Sequence, residues 1–224
     1  MKKEIKNFNA VFENDPQYYD QLRSGYLSKK REKFISKYIN HDKIIRIAEI
    51  GCGTGGLIWE LSNRFSNKSF TGIDALVQYT KFSEKKYKKN NLNFLTENIE
   101  EDIPKNNYDL IYSIDVLHHL KNIKLGYKNI INSLKADGLW IIMEPNSANL
   151  YIRYSQWIKN DEKNFDKKFL EKNVHAQKNK IIKKLYYLLL PAAIKKPSLI
   201  LQKMESMLEK HKYLGTSVIY IIQK

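Results

Sequence analysis

The sequence predicts an α/β fold with a doubly wound, mostly parallel sheet. Short apolar segments that end in glycine or acidic residues alternate with segments whose apolar residues recur at helical spacing. This alternation is typical of strands joined by helices that pack on both faces of one sheet. The chain has 224 residues, 42% of them hydrophobic, which suits one domain with a sizeable core.

Each predicted element follows from this pattern. The seven predicted strands are KIIRIAEI (43–50), SFTGID (69–74), LNFLTEN (92–98), YDLIYSID (108–115), GLWIIMEP (138–145), KIIKKLYYLLLP (180–191) and TSVIYIIQK (216–224). The predicted helices cover 17–40, 56–65, 76–89, 121–138 and 197–211, with Leu134 on the apolar stripe of the fourth and Gly138 beyond its end. The segment 151–173 is aromatic and basic and has only weak helical spacing.

Composition limits the classes of protein to consider. No apolar run approaches the roughly 20 residues that a membrane span requires, and the N-terminus lacks the apolar stretch of a signal peptide. The single cysteine, Cys52, excludes an internal disulfide, and a cytoplasmic location is expected. The net charge is +15, of which residues 151–224 contribute +10. This excess indicates either an anionic partner for the C-terminal part or a compositional bias.

The segment IRIAEIGCGTGGLIWEL (45–61) contains a glycine loop that can be interpreted in two ways. Gly51, Gly53 and Gly56 spell G-x-G-x-x-G, the dinucleotide fingerprint, whereas Gly51, Gly53 and Gly55 spell G-x-G-x-G. The acidic Glu49 would repel a pyrophosphate but would suit a ligand that carries an ammonium group. Asp74, at the end of the second strand, can accept hydrogen bonds from ribose hydroxyls or cap the next helix.

These motifs together resemble the class I S-adenosylmethionine-dependent methyltransferases. The resemblance covers about residues 17–146 and rests on AEIGCGTGG, GIDAL, TENIEEDIP, YDLIYSIDVLHHL and LKADGLWIIMEPN, in this order. It implies a seven-stranded Rossmann-like sheet with an N-terminal helical lid and a helical insertion near the C-terminus. The expected divisions are a lid (1–40), a cofactor-binding core (41–146) and an acceptor-binding cap with the last two strands (147–224).

The resemblance also implies which residues hold the cofactor, S-adenosyl-L-methionine. They are Glu49, Gly51, Cys52, Gly53, Gly55, Asp74, Ala75, Asn98, Ile99 and Ser113 in the core, and Tyr19 and Arg31 on the lid. Asn98 departs from the family pattern, in which an aspartate is commoner at this place. An asparagine can still accept a hydrogen bond from the adenine amino group, but it adds no charge.

Candidate catalytic and acceptor-binding residues follow the fourth and fifth strands. His118 and His119 lie where a base would reach a bound acceptor, and neutral imidazole is available near pH 7. We expect His118 to face the acceptor and His119 to pack against the sheet or the cofactor. Predicted acceptor contacts are made by Glu144, Asn146, Tyr151 and Trp157, and Glu144 can alternatively cap the following turn. No metal-ligand spacing is present.

The acceptor itself stays open between three classes. The first is a small anionic metabolite, such as a phosphorylated or nucleotide-linked surface-glycan precursor methylated on oxygen or, alternatively, nitrogen. The second is RNA, since phosphate contacts require lysine and arginine. The third is a lipid-linked acceptor at a membrane surface, met through 183–196, whose apolar run has lysine pairs at both ends. A cofactor-binding regulator without transferase activity is a further alternative.

Overall fold

A computed structural model of the chain describes residues 15–23, 25–101, 103–105, 107–159, 165–190 and 194–224. One sheet contains seven strands in the order β3-β2-β1-β4-β5-β7-β6. Their bounds are β1 (Arg46–Ile50), β2 (Ser69–Asp74), β3 (Leu92–Thr96), β4 (Tyr108–Ile114), β5 (Leu134–Pro145), β6 (Lys180–Tyr187) and β7 (Ser217–Gln223). The first five are parallel, and β7 runs antiparallel to both β5 and β6. The predicted seven-stranded, mostly parallel sheet is confirmed.

Helices connect the strands. Their bounds are α1 (Pro16–Arg23), α2 (Tyr26–Ile39), α3 (Gly56–Arg64), α4 (Val77–Lys86), α5 (Ile123–Ser133), α6 (Leu150–Lys159), α7 (Lys167–Ala176) and α8 (Leu199–Leu208), with a 3₁₀ turn at Leu117–His119.

Three local predictions are wrong. The helix expected over 17–40 is two helices, because Gly25 has φ of 111°, which a helix cannot continue through. The helix expected over 121–138 ends at Ser133, since Leu134 is extended and already pairs with Tyr108. The segment 151–173 contains most of α6 and part of α7, which is capped by the Asp166 carboxylate accepting from the Phe169 N–H.

The core has two layers, one on each face of the sheet. Strand residues alternate between the layers, as the period of two along a strand requires. Ile47, Phe70 and Leu110 pack with the apolar faces of α2 and α3. The opposite layer packs central-strand residues such as Trp140 against α5 and α7. The central strands are buried on both faces, which explains their nearly continuous apolar sequences.

The strand order reverses between β1 and β4, which are neighbours although β2 and β3 lie between them in the chain. Loops that leave the carboxyl ends of such strands diverge and leave a crevice, the usual ligand site of open α/β sheets. The loop after β1 (51–55) and the loop after β4 (115–122) border this crevice.

Candidate functional site

The backbone geometry of the glycine loop distinguishes the two interpretations of its glycine pattern. Gly51, Gly53 and Gly55 have φ of 67°, 53° and 75°, all left-handed, whereas Gly56 opens α3 with an ordinary helical backbone. The left-handed region is open to glycine and costly for residues with a Cβ. The conformational requirement therefore falls on G-x-G-x-G, and not on the third glycine of the dinucleotide pattern.

Neighbouring side chains close around this loop. A Cβ added at Gly55 would lie 2.6 Å from the Phe94 ring, and one at Gly51 would overlap Val116 of the loop after β4. A Cβ at Gly53 would lie 3.0 Å from the ring of Tyr19 on α1. The predicted lid residue Tyr19 therefore lies against the glycine loop.

Asp74 fixes the loop from the end of β2. One carboxylate oxygen accepts the Gly53 N–H at 2.8 Å and the other accepts the Leu76 N–H at 2.9 Å. Burial raises the pKa of Asp74, and the two N–H donors oppose this effect. A carboxylate oxygen can accept more than one hydrogen bond, so this geometry leaves room for ribose hydroxyls. The adjacent Ala75 is exposed.

Glu49 is a buried carboxylate, only 5% exposed, near the carboxyl end of β1. The Tyr112 hydroxyl donates to it at 3.1 Å. Burial and the charge of Glu49 raise the pKa of Tyr112 well above its ordinary value, which keeps the hydroxyl a donor. Glu49 lines a cavity of about 570 Å³ together with Arg31 and Cys52. An ammonium group would satisfy this carboxylate better than any neutral ligand.

Cys52 contributes bulk and not reactivity. Burial, followed by the charges of Asp74 and Glu49, raises the pKa of its thiol well above the ordinary value. A thiol held protonated is neither a nucleophile nor a metal ligand.

Arg31 lines the same cavity from α2 but has a protein partner. Its Nη2 donates to Asp115 at 2.7 Å, and the residue is 7% exposed. Asp115 follows β4 with φ of 57°. This ion pair ties the second lid helix to the loop after β4. Contact with a methionine carboxylate stays a prediction for Arg31.

The sequence analysis missed Asp20, which fastens α1 to the site. Its carboxylate accepts hydrogen bonds from the hydroxyls of Thr54 in the glycine loop and Tyr87 after α4, at 3.0 and 3.1 Å. It also forms an ion pair with Lys86. An acid on a polar helix has no distinguishing sequence signal, so only the tertiary structure could identify it.

The turn after β3 is well ordered by its own side chains. The Asn98 side-chain oxygen accepts the Glu100 N–H at 3.0 Å, and its amide donates to Glu101 at 3.1 Å. Ile99 is buried, and its carbonyl accepts from the Asn129 amide. This turn lies past β3, which pairs with β2 beside Asp74. The predicted adenine contact of Asn98 and Ile99 remains a prediction.

The two histidines after β4 differ in burial and in their partners. His118 is 6% exposed, and its Nδ1 lies 2.7 Å from the Glu144 carboxylate, whereas His119 is exposed. The rings are 3.9 Å apart. His118 turns inward because β5, the neighbour of β4, places a carboxylate there. The histidine expected to pack is therefore the exposed one.

Three of the predicted contact residues have structural partners inside the protein. Ser113 is fully buried, and its hydroxyl oxygen accepts from the Trp140 indole at 3.1 Å. Glu144, also fully buried, accepts the N–H groups of Val116 and Leu117 as well as His118. Glu144 therefore shapes the loop after β4 instead of presenting its carboxylate to an acceptor.

Asn146 is likewise fully buried, and its amide donates to the carbonyls of Lys212 and Gly215 at 2.8 Å. It holds the segment before β7 in place, and its predicted contact with the acceptor stays a prediction. Tyr151, 63% exposed on α6, is open to a ligand. The side chain of Trp157 lies outside the described part of the structure.

Comparison with known proteins agrees with this geometry. Residues 48–140 match a family model described as a methyltransferase domain. The chain is 31% identical over 137 residues to malonyl-[acyl-carrier protein] O-methyltransferase 2 of Ilyobacter polytropus, covering 60% of this chain and 52% of that protein. It is 28% identical over 156 residues to ubiquinone biosynthesis O-methyltransferase of Rickettsia akari, covering 65% and 60%. The chain thus aligns with little more than half the length of these relatives.

Two solved structures share the fold. An S-adenosylmethionine-dependent methyltransferase from Archaeoglobus fulgidus has a TM-score of 0.67 at 17% identity, covering 92% of this chain and 98% of that one. The N-methyltransferase NodS of Bradyrhizobium japonicum WM9, in complex with S-adenosyl-L-homocysteine, has a TM-score of 0.68 at 12% identity, covering 96% and 97%. Residues 48–140 thus match a methyltransferase domain, and the chain shares the fold of these S-adenosylmethionine-dependent methyltransferases, as its motifs predict.

Two features are absent from the residues that the structure describes. No helix in these ranges has the length and apolarity to cross a bilayer. In the same ranges, no group of three or more His, Cys, Asp or Glu side chains is arranged to hold a metal ion.

Proposed function

We propose that the chain transfers the methyl group of S-adenosyl-L-methionine to an oxygen of a small acceptor that carries an anionic group. The observation that carries this proposal is the buried carboxylate of Glu49, which lines the cavity beside three left-handed glycines. A pyrophosphate would be repelled by this charge, whereas the ammonium of a methionine moiety would be attracted. The fold of the methyltransferase domain supports the same cofactor.

In this proposal, different residues contact different parts of the cofactor. Glu49 receives the ammonium group, the glycine loop lets the backbone approach the ligand, and Asp74 accepts from the ribose hydroxyls. Asn98 and Ile99 bound the adenine. When bound, the cofactor supplies a methyl group already activated by its sulfonium, so the protein mainly has to hold the acceptor in line, which contributes about 7–11 kcal/mol.

His118 is the residue we assign to hold the acceptor's proton. Glu144 accepts from Nδ1, which leaves the lone pair of the neutral ring on Nε2. A carboxylate that orients an imidazole in this way also stabilises the protonated ring. A positioned base contributes about 10²- to 10⁴-fold when the acceptor is an alcohol, whose proton must leave as the methyl arrives. The exposed His119 is the alternative.

The names of the relatives favour oxygen over nitrogen as the methylated atom. They do not include a sugar, so the proposed acceptor is defined by its charge and not as a glycan precursor. We further propose that residues 147–215 select the acceptor, while residues 41–146 bind the cofactor. The exposed aromatic side chain of Tyr151 supports this division.

Two measurements test the proposal. Calorimetric titration should show binding of S-adenosyl-L-methionine but not of NAD. Glu49→Gln should weaken binding, whereas Glu84→Gln, an exposed control on α4 that does not line the Glu49 cavity, should not. Tighter binding of NAD would refute the cofactor. A transfer screen with labelled cofactor should label pooled anionic metabolites. Labelling of bulk RNA alone would refute the small acceptor, and cofactor binding without any transfer would favour a regulator.

A further inference from the structure

A second cavity of about 860 Å³ lies between α2 and the segment 195–209, which includes α8. Six lysines line it: Lys29, Lys30, Lys33, Lys37, Lys195 and Lys196. Glu209 is the one acid among the described lining residues. This acid is already engaged, because it accepts the Leu188 N–H and forms an ion pair with Lys30. The cavity is therefore strongly positive.

The lysines are brought together by two separate parts of the chain. Lys29, Lys33 and Lys37 are four residues apart on α2 and so share one face of the helix. Lys195 and Lys196 come from the loop before α8. That loop is held against α2 by the Tyr26 N–H donating to the Lys195 carbonyl at 3.2 Å. A Cβ at Gly25 would lie 2.9 Å from the Lys195 side chain, so the close approach requires glycine.

Lys30 has a different role, because it holds the wall of the cavity together. Its ammonium group lies 2.7 Å from Glu205 and 4.8 Å from the centre of the Tyr187 ring. Glu205 also accepts the Tyr26 hydroxyl and the N–H groups of Leu189 and Leu190. Glu205 of α8 and Glu209, which directly follows α8, therefore both point toward Lys30. Together with Lys30 they leave one negative charge against the five other lysines of the cavity.

The position of this cavity relates it to the proposed reaction. Gly25, Lys29 and Lys33 line both this cavity and the one that contains Glu49. A ligand in the second cavity would therefore lie beside the bound cofactor. A cavity of about 860 Å³ has the size of a small-ligand site and suits a compact anion better than the extended track of a nucleic acid.

We infer that this lysine-lined cavity binds a phosphate or diphosphate group, which is the anionic part of the acceptor. That the phosphate belongs to the acceptor rests on the proposed function. The binding of phosphate to the cavity does not. Clustered ammonium groups attract a multiply charged anion through both charge and hydrogen bonds. The phosphate has two possible sources. It belongs either to a soluble metabolite or to a lipid headgroup, since Leu199, Ile200 and Met207 of α8 are 73–78% exposed nearby.

The test uses the full chain saturated with S-adenosyl-L-homocysteine and titrated with inorganic pyrophosphate. The variant Lys37→Gln/Lys196→Gln removes two lysines that line only the second cavity. The control Lys85→Gln/Lys128→Gln removes the same charge from exposed lysines of α4 and α5. We expect saturable 1:1 binding that weakens about tenfold in the variant and by less than about twofold in the control. Each exposed ion pair contributes up to about fivefold.

The outcomes separate the two proposals. Absent pyrophosphate binding, or equal weakening in variant and control, would overturn the phosphate site even if the cofactor binds. Failure of the cofactor to bind, with pyrophosphate binding retained, would overturn only the proposed function. The source is a lipid headgroup if the protein cosediments with phosphatidylcholine vesicles that contain phosphatidic acid and the Lys37→Gln/Lys196→Gln variant does not. Pyrophosphate binding without cosedimentation would identify the soluble one.

Discussion

Replacing Glu144 by glutamine should destabilise the protein far more than the small change in shape suggests. The carboxylate is fully buried and accepts three hydrogen bonds, from Val116 N–H at 2.9 Å, Leu117 N–H at 2.8 Å and the His118 ring at 2.7 Å. A glutamine retains only one acceptor oxygen. Its NH2 group would face the His118 ring nitrogen, which in the wild type donates to the carboxylate, so two donors would meet. The variant therefore loses charge-assisted bonds in a place that water does not reach.

The size of the effect follows from these contacts. Hydrogen bonds to charged groups contribute about 1.5–3 kcal/mol each, against about 0.5–1.5 kcal/mol for neutral pairs. Replacing three of the first kind by at most two of the second should lower the free energy of unfolding by about 3.5–6 kcal/mol. For a chain of this length that is roughly 7–24 °C in Tm. Glu144→Ala, which orphans two backbone donors, should cost more than Glu144→Gln.

Urea unfolding followed by circular dichroism measures both variants. Glu171→Gln is the matched control, because that carboxylate accepts from Lys184 and Tyr220 at the surface, with its side chain 37% exposed. Its loss should change the free energy of unfolding by at most about 1 kcal/mol. If Glu144→Gln were as stable as this control, the carboxylate would not organise the loop after β4, and our account of His118 would fail with it.

Further predictions concern the glycine loop, the side chain of Asn146 and the pH dependence of stability. Gly55→Ala should abolish cofactor binding in calorimetry, because the Phe94 ring occupies the space that the added Cβ needs. The control Gly56→Ala should bind the cofactor normally, since the nearest atom to its added Cβ is 3.5 Å away. Equal effects of the two substitutions would support the dinucleotide interpretation of the loop. Asn146→Ala should cost about 2–4 kcal/mol in urea unfolding, and an effect below 1 kcal/mol would contradict its role as a fastener. Burial opposes ionisation of Glu205, but the Leu190 N–H and its other donors outweigh burial and lower its pKa below 4.5. Its stabilisation is thus complete above pH 4.5 and lost as pH falls through the folded pKa. The stability gap between wild type and Glu205→Gln should therefore narrow only in acid, and a gap independent of pH would refute this.

The strands were predictable because their signal is local and redundant. Each central strand is buried on both faces, so its sequence is a short apolar run that ends where the chain meets the crevice. The same geometry places Glu49 and Asp74 at the ends of adjacent strands, as the sequence analysis expected. Their contacts with the cofactor stay a prediction. The order of the strands, with β7 antiparallel between β5 and β6, was not predicted, because the periodicity of a strand does not identify its neighbours.

Helix boundaries were less predictable because competing signals decide them. Leu134 fits the apolar stripe of α5 equally well whether the helix continues or a strand begins. Its pairing with Tyr108 is a long-range contact that no local window contains. The break at Gly25 has the same origin, since the glycine is required by the approach of Lys195, 170 residues further along the chain.

The conformation of the loop after β4 was the least predictable part of the site, and the two histidines show the physical reason. Nothing in the dipeptide itself distinguishes His118 from His119, since the two have the same chemistry and sit one position apart. The choice is made by Glu144 on the neighbouring strand, which fixes three groups of the loop after β4 at once. A buried carboxylate requires such partners, so the loop adopts the one conformation that supplies two N–H groups and an imidazole. The acid near the end of β1, Glu49, borders a cavity, as a ligand-facing acid would. The acid at the end of β5, Glu144, does not border a cavity in this way, because N–H groups and the imidazole of the loop after β4 occupy its carboxylate.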